Sequence, residues 1–121
     1  MEAFGAASST GFEDRMVAHL RQCFPTHVEA LGEQRTRAEI TFGVGRAALY
    51  DLTSERDVCA FIDVMFGFGD GFDENPALPW ARKILTRPGF PPRVRAHALH
   101  ARAVEELKEL ALEPAGLKGR P

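Results

Sequence analysis

The chain has a shortage of several features, and each shortage excludes a class of protein. Its 121 residues carry a net charge of only −2, whereas a broad nucleic-acid-binding surface requires a positive excess. No apolar run approaches the ~20 residues needed to cross a bilayer. The amino terminus lacks the basic segment and following apolar segment of a secretory signal. We therefore expect a cytoplasmic protein that binds neither nucleic acid nor membrane.

Cysteine is also scarce, since Cys23 and Cys59 are the two cysteines of the chain. Each has apolar neighbours on a predicted helix. The absence of an export signal favours two buried free thiols, although the sequence leaves a disulfide between them open. A catalytic cysteine needs a partnered histidine and an electropositive, accessible setting. Cys59 lies beside Asp57 and at the edge of an apolar arc, where a thiol stays protonated, so we predict no catalytic cysteine.

The composition present is that of an ordinary globular domain, with 45% hydrophobic and 26% charged residues. A chain of this length can bury one hydrophobic core. We predict a disordered segment at 1–9, a helical domain at 10–112 and a flexible tail at 113–121.

Capping boxes of the form T-x-x-E predict where the first helices begin. The three boxes are Thr10 with Glu13, Thr26 with Glu29, and Thr36 with Glu39. The third box predicts either a new helix after Gly32 or a continuation of the second. A strand through Ile40, Phe42 and Val44 is the alternative there. A helix is favoured, with Gly43 and Gly45 allowing another helix to approach closely.

The second half of the chain predicts a central helix and a long final one. Thr53 or Ser54 caps a helix whose apolar arc is too wide for a surface helix. A glycine-rich turn ends this helix, and the next begins around Asp73–Pro76. The last helix runs from Pro91–Pro92 to about Leu112. Its apolar seam comprises Ala96, Leu99, Ala103, Leu107 and Leu110. The predicted fold class is therefore all-α, a single-domain bundle of five or six short helices.

No constellation in the sequence predicts catalysis or a bound cofactor. The turn with Asp70, Asp73 and Glu74 has clustered carboxylates that a metal could use, but the residues that follow do not complete a calcium-binding loop. Helix capping is the favoured interpretation. His97 and His100 have a metal-compatible spacing without further ligands nearby in sequence. We therefore interpret these two histidines, with His19 and His27, as structural, and predict neither metal nor cofactor.

The segment between Ile40 and Leu85 carries a distinctive pattern. It contains Tyr50-Asp51-Leu52-Thr53-Ser54-Glu55-Arg56-Asp57-Val58, then Met65-Phe66-Gly67-Phe68-Gly69, Phe72-Asp73 and Leu78-Pro79-Trp80-Ala81. This pattern resembles a group of small helical bacterial proteins whose genes often neighbour type VI secretion spike and effector genes. The resemblance implies a fold and a genetic setting, and no activity is attached to the group.

These observations predict a non-enzymatic accessory protein that binds another protein, such as a secreted toxin or a spike component. In the setting that the resemblance implies, it would be an adaptor, a loading factor or a cognate immunity protein. The predicted protein-binding residues are Tyr50, Glu55, Asp57, Phe68, Asp70, Phe72, Asp73 and Trp80. Two alternatives stay open. One is a small metal-dependent hydrolase that uses the acidic turn 70–75, and the other is a structural homo-oligomer, such as a homodimer, formed through the seam of the last helix.

Overall fold

The computed structural model describes residues 11–112, without the side chains of Ala111 and Leu112. In chain order the helices are α1 (Phe12–Cys23), α2 (Pro25–Leu31), α3 (Glu33–Ala48), α4 (Glu55–Phe68), α5 (Pro79–Leu85) and α6 (Pro92–Leu112), with a 3-10 turn at Phe72–Glu74 between α4 and α5. Residues 11–112 contain no β-strand, so the prediction of a single all-α domain is confirmed. The segments predicted to be disordered at 1–9 and flexible at 113–121 lie outside the described residues.

Helix α4 is the centre of the bundle. It packs against α1, α3, α6 and the 3-10 turn, and it buries Val58, Phe61, Ile62, Val64 and Met65. This helix is apolar around most of its circumference because partners cover it on several sides. The predicted central helix is therefore confirmed. Among residues 11–112, no helix is both long and apolar enough to cross a lipid bilayer.

The contact between α3 and α4 depends on a glycine. A Cβ atom placed on Gly43 would lie 2.7 Å from Cγ1 of Ile62, which is fully buried in α4. The predicted close approach of another helix is thus confirmed at Gly43. Gly45 differs, because an added Cβ there would meet no atom within 4 Å.

Helix α4 ends at the predicted glycine-rich turn, but the next helix begins later than predicted. Gly69 has φ 109°, a left-handed conformation that glycine adopts without steric cost. The 3-10 turn follows, and α5 begins at Pro79, so Pro76 does not lie in its first turn. The Asn75 side chain accepts a hydrogen bond from the Ala77 amide at 2.9 Å, which forms a local turn in place of a helix entry.

Of the predicted helix caps that fall in the described residues, one is observed, and it does not belong to the three capping boxes. Ser54 accepts a hydrogen bond from the Asp57 amide at 3.1 Å and caps α4, as predicted. Thr26 does not cap α2, which begins at Pro25. Thr36 lies inside α3 and is fully buried, since Gly32 already ends the preceding helix and α3 starts at Glu33. Thr10 lies outside the described residues.

Helices α4 and α6 run parallel, with α5 in the connection between them. Ala60 and Ala96 line one cleft between these helices, and Val64 and Ala103 line a second cleft further along both. Helix α6 has 21 residues and α4 has 14. The predicted seam of α6 is therefore covered only in its first part. Ala96, Leu99 and Ala103 are buried, whereas Leu107 and Leu110 are 40% and 52% exposed.

The first turn of α6 is tied to the ends of two other helices by Arg95. Its Nη1 donates to the backbone oxygens of Tyr50 at 2.9 Å and Leu85 at 2.7 Å, and its Nε donates to that of Phe90 at 2.9 Å. Carbonyl groups after a helix end lack intrahelical donors, and a guanidinium group satisfies them well. Arg95 thus fixes α6 relative to the carboxyl ends of α3 and α5.

The two glycines of α3 provide a matched test of this packing. We expect Gly43→Ala to lower the free energy of unfolding by about 1–2 kcal/mol, because Ile62 cannot move away in a filled core. We expect Gly45→Ala to raise it by up to about 1 kcal/mol, because alanine is the better helix former and meets no neighbour. Urea unfolding of both variants measures the difference. Equal effects at the two positions would contradict the close contact between α3 and α4.

Candidate functional site

Four of the eight predicted protein-binding residues lie inside the fold. Phe72, Asp73, Asp57 and Trp80 are buried, and Trp80, the most exposed of them, is 7% exposed. In this conformation their side chains are not available to a partner. The observed roles are structural: Phe72 packs on Phe61 with ring centroids 4.9 Å apart.

The other four predicted residues have different environments. Tyr50 and Phe68 are half-buried, and Phe68 contacts the Trp80 ring edge-on at a centroid distance of 5.4 Å. Glu55 forms an ion pair with Arg15 of α1. Asp70 is the exposed member of the set. The structure therefore does not bring the eight residues together into one surface. Of the predicted set, the protein-binding prediction now depends on Phe68 and Asp70.

Asp73 is the centre of a buried polar network. Its Oδ2 accepts hydrogen bonds from the Arg46 guanidinium and from the Tyr50 hydroxyl, the latter at 2.7 Å. Burial and the hydrogen bond to Asp73 raise the pKa of Tyr50 to about 12, and the same carboxylate raises the pKa of Arg46. Glu74 lies 3.2 Å from Arg46. Because Arg46 neutralises both acids of the turn, this geometry favours a structural role over a metal-binding one.

Glu39 and Asp70 form a second pair of acidic side chains, on the side of α3 that carries Arg46. Burial, followed by a hydrogen bond to Asp70, raises the pKa of Glu39 to about 7, and Arg35 opposes the shift. A carboxyl group that hydrogen-bonds another carboxylate is favoured in its protonated form. Glu39 therefore titrates near neutral pH.

A group of metal-ligand side chains lies where α1, α4 and α6 meet. His19 belongs to α1, and Cys59 and Asp63 lie one turn apart on α4. Within residues 11–112, these three form the one group of His, Cys, Asp or Glu whose ligand atoms all lie within 4.8 Å of one another. Nε2 of His19 lies 2.8 Å from Oδ1 of Asp63. We call His19, Cys59 and Asp63 the three-helix centre. These residues come from α1 and α4, and His100 of α6 contacts the Asp63 carboxylate.

Two further side chains surround the three-helix centre. Sγ of Cys23 lies 3.7 Å from Nε2 of His19, and Nε2 of His100 lies 3.5 Å from Oδ2 of Asp63. Cys23 is exposed, so the prediction that both thiols are buried is wrong for it, and Cys59 is half-buried. Both thiols are free.

The environment of the three-helix centre favours the protonated form of the Cys59 thiol when no cation is present. Burial and the charge of Asp63, with a smaller contribution from Cys23, raise the pKa of Cys59 to about 12. Burial also raises the pKa of Asp63, while His19 and His100 oppose that shift. A bound cation would reverse these effects, because metal ligation replaces the thiol proton.

Sequence reasoning missed this centre because its parts are far apart in the chain. His19 and Asp63 are separated by 44 positions. The available signal is local: His19 with Cys23, and Cys59 with Asp63, are pairs four residues apart that lie on one face of a helix. Two such pairs of ligand types in one short chain could have indicated a shared site.

Among the exposed large hydrophobic side chains, three form an apolar edge of α6, which we define as Val104, Leu107 and Leu110. All three are more than a third exposed. A shallow cavity of about 170 Å³ borders this edge, and Phe68, Val64 and Gly67 of α4 line its opposite side. Cys23, Asp63 and His100 line the end of the same cavity nearest the three-helix centre.

Comparison of the chain with protein-family models, with curated proteins and with solved structures found no match.

The buried network predicts a large loss of stability for Asp73→Ala. Removing one partner of a buried ion pair leaves Arg46 and Tyr50 without their acceptor, and we expect the free energy of unfolding to fall by about 3 kcal/mol. Glu74→Gln is the matched control, because Glu74 contacts the same arginine but is 60% exposed. Its expected loss is below about 1 kcal/mol. Urea denaturation compares them, and a loss from Asp73→Ala no larger than that control would contradict the network.

The pair of Glu39 and Asp70 predicts a pH dependence of stability. The folded state holds the Glu39 proton more tightly than the unfolded chain, in which the pKa is near 4.5. The stabilisation that this proton provides is therefore fully present below that value and is lost as the pH rises toward 7. We expect Glu39→Gln to remove this part of the decline in melting temperature, and Asp70→Asn to reduce it. An unchanged profile for Glu39→Gln would contradict the assignment.

Proposed function

We propose that this chain is a non-enzymatic protein-binding module whose partner binds the apolar edge of α6 and the adjacent end of α4. The observation that carries the proposal is the seam of α6, which continues past the end of α4. Leu107 and Leu110 lie on the helix face that buries Ala96, Leu99 and Ala103 closer to its start. Leu107 and Leu110 nevertheless remain 40% and 52% exposed.

The shape of this surface fits a helix from another protein. Val104, Leu107 and Leu110 recur every three residues along α6. The shallow cavity beside them is lined mainly by apolar side chains. A partner helix with a single apolar stripe can lie in such a groove and bury these side chains. A continuous apolar area rimmed by polar residues is typical of an interaction site.

The charges at the rim favour a basic partner. Asp70 is exposed and follows Phe68, which lines the cavity beside the apolar edge. Arg102 is engaged by Glu106 at 2.8 Å. Acidic groups at the rim would speed association with a cationic partner and suppress binding of acidic ones. This surface retains Phe68 and Asp70 of the residues predicted from sequence.

The biological setting enters the proposal through the resemblance of the Ile40–Leu85 segment. In that setting the module would be a cytoplasmic adaptor, loading factor or immunity protein, and its partner would be a secreted toxin or a spike component. Toxicity of the captured partner when it is produced alone would distinguish an immunity protein from an adaptor.

The test compares Leu107→Glu/Leu110→Glu with Lys108→Glu, which adds an acid on the outward side of the same helix. Tagged chains are purified from the cells that natively produce the protein, and captured chains are identified by mass spectrometry. We expect the wild type and Lys108→Glu to capture the same stoichiometric partner and the double variant to lose it. The melting temperature should stay nearly constant, since exposed substitutions change stability by only about 0.5 kcal/mol.

Two results would contradict the proposal. Undiminished capture by the double variant would exclude the apolar edge as the binding surface. The absence of any captured chain, together with a dimeric mass in light scattering that the double variant converts to a monomer, would replace the partner by a second copy of this chain.

A further inference from the structure

We propose that His19, Cys59 and Asp63 bind a divalent transition-metal ion of the zinc class, with Cys23 as the fourth ligand. The three-helix centre contributes an imidazole nitrogen, a thiolate sulfur and a carboxylate oxygen. The site goes beyond the proposed function and does not depend on it, because binding a metal requires no partner protein.

The distances within the centre fit a small tetrahedral ion. Metal–nitrogen bonds of about 2.0–2.1 Å and metal–sulfur bonds of about 2.3 Å place nitrogen and sulfur ligands about 3.5 Å apart. Sγ of Cys23 and Nε2 of His19 are 3.7 Å apart. The ligand atoms of His19, Cys59 and Asp63 already lie within 4.8 Å of one another. Small side-chain rotations, without movement of the helices, would therefore bring four donors around one ion.

The chemistry of the donors selects the class of ion. Two sulfur ligands exclude Mg²⁺ and Ca²⁺, which prefer oxygen ligands alone. A set of two thiolates, one imidazole and one carboxylate satisfies the borderline preference of Zn²⁺. The exposed position of Cys23 at the end of α1 provides a route for the ion to enter from solvent.

His100 acts as a positioning residue for this site. Its Nε2 lies 3.5 Å from Oδ2 of Asp63, so it can hold the second oxygen of the carboxylate whose Oδ1 faces His19. Outer contacts of this kind orient a ligand and commonly change metal affinity by about 10- to 100-fold. The ion would thereby connect side chains from α1 and α4 directly and α6 through His100.

Cobalt(II) is the probe for the test, because a thiolate ligand gives it a charge-transfer band that carboxylate and imidazole ligands do not. The full chain, kept reduced, is titrated with Co²⁺ and then with Zn²⁺. We expect one equivalent of Co²⁺ to bind with a thiolate charge-transfer band and tetrahedral ligand-field bands, and Zn²⁺ to displace it. Saturating Zn²⁺ should also raise the melting temperature by about 10 °C.

The variants are close in size to the native residues and include matched controls. Cys59→Ser should weaken Co²⁺ binding and lower the intensity of the charge-transfer band, and Cys23→Ser/Cys59→Ser should abolish the band. Cys23→Ser alone should weaken Co²⁺ binding at least tenfold, and His100→Gln should weaken it with the band unchanged in position. His97→Gln, on the same helix as His100 but outside the centre, should bind as the wild type does. Circular dichroism verifies that each variant retains its helices.

Three results would overturn the inference. The absence of a charge-transfer band in the wild type would exclude the thiolate site. A band of undiminished intensity in Cys59→Ser, or any band in Cys23→Ser/Cys59→Ser, would place the ion elsewhere. Unchanged affinity in Cys23→Ser would remove Cys23 as the fourth ligand. Each result is obtained without a partner protein, so failure here would leave the proposed binding surface on α6 unaffected.

Discussion

The buried carboxylate of Asp73 is the interaction on which the connection between the two halves of the bundle depends. A carboxylate removed from water is stable only when donors compensate for the lost hydration. Arg46 and Tyr50 supply them, and both come from the carboxyl-terminal end of α3. The turn that leaves α4 must therefore lie against α3 at one place. That position in turn sets Phe72 against Phe61 of α4 and directs the chain toward α5.

The same tyrosine extends this constraint to α6. While its hydroxyl donates to Asp73, its backbone oxygen accepts from Arg95, which also holds the end of α5. Two guanidinium groups thus organise the crossover between α4 and α6. Because the crossover fixes α6 at its start, the far end of that helix is free to extend beyond α4. The exposure of the leucines at the end of α6 is thus a consequence of the contacts that fix the start of the helix.

Local patterns in the sequence were sufficient for the fold class but not for the site. Apolar periodicity predicted α4 and α6 correctly, since the amphipathic pattern of a helix is set by residues a few positions apart. Capping boxes were a weaker guide: Thr36 has the right spacing, yet Gly32 and tertiary packing place it inside α3. Aromatic residues such as Trp80 were ambiguous, because the same side chain can seal a core or anchor a partner. The three-helix centre was not predicted, because its residues come from segments far apart in the chain and only the packed structure brings His19 to Asp63.

The position of Trp80 gives the protein an intrinsic optical reporter. It is the sole tryptophan of the chain, it contacts Phe68 at the end of α4, and the Arg102 guanidinium of α6 lies 5.5 Å from its ring. Indole emission shifts with the polarity around the ring, so one fluorophore reports on the junction of α4, α5 and α6 without any label. The junction adjoins the apolar edge of α6, and an event on that surface would register in the emission spectrum.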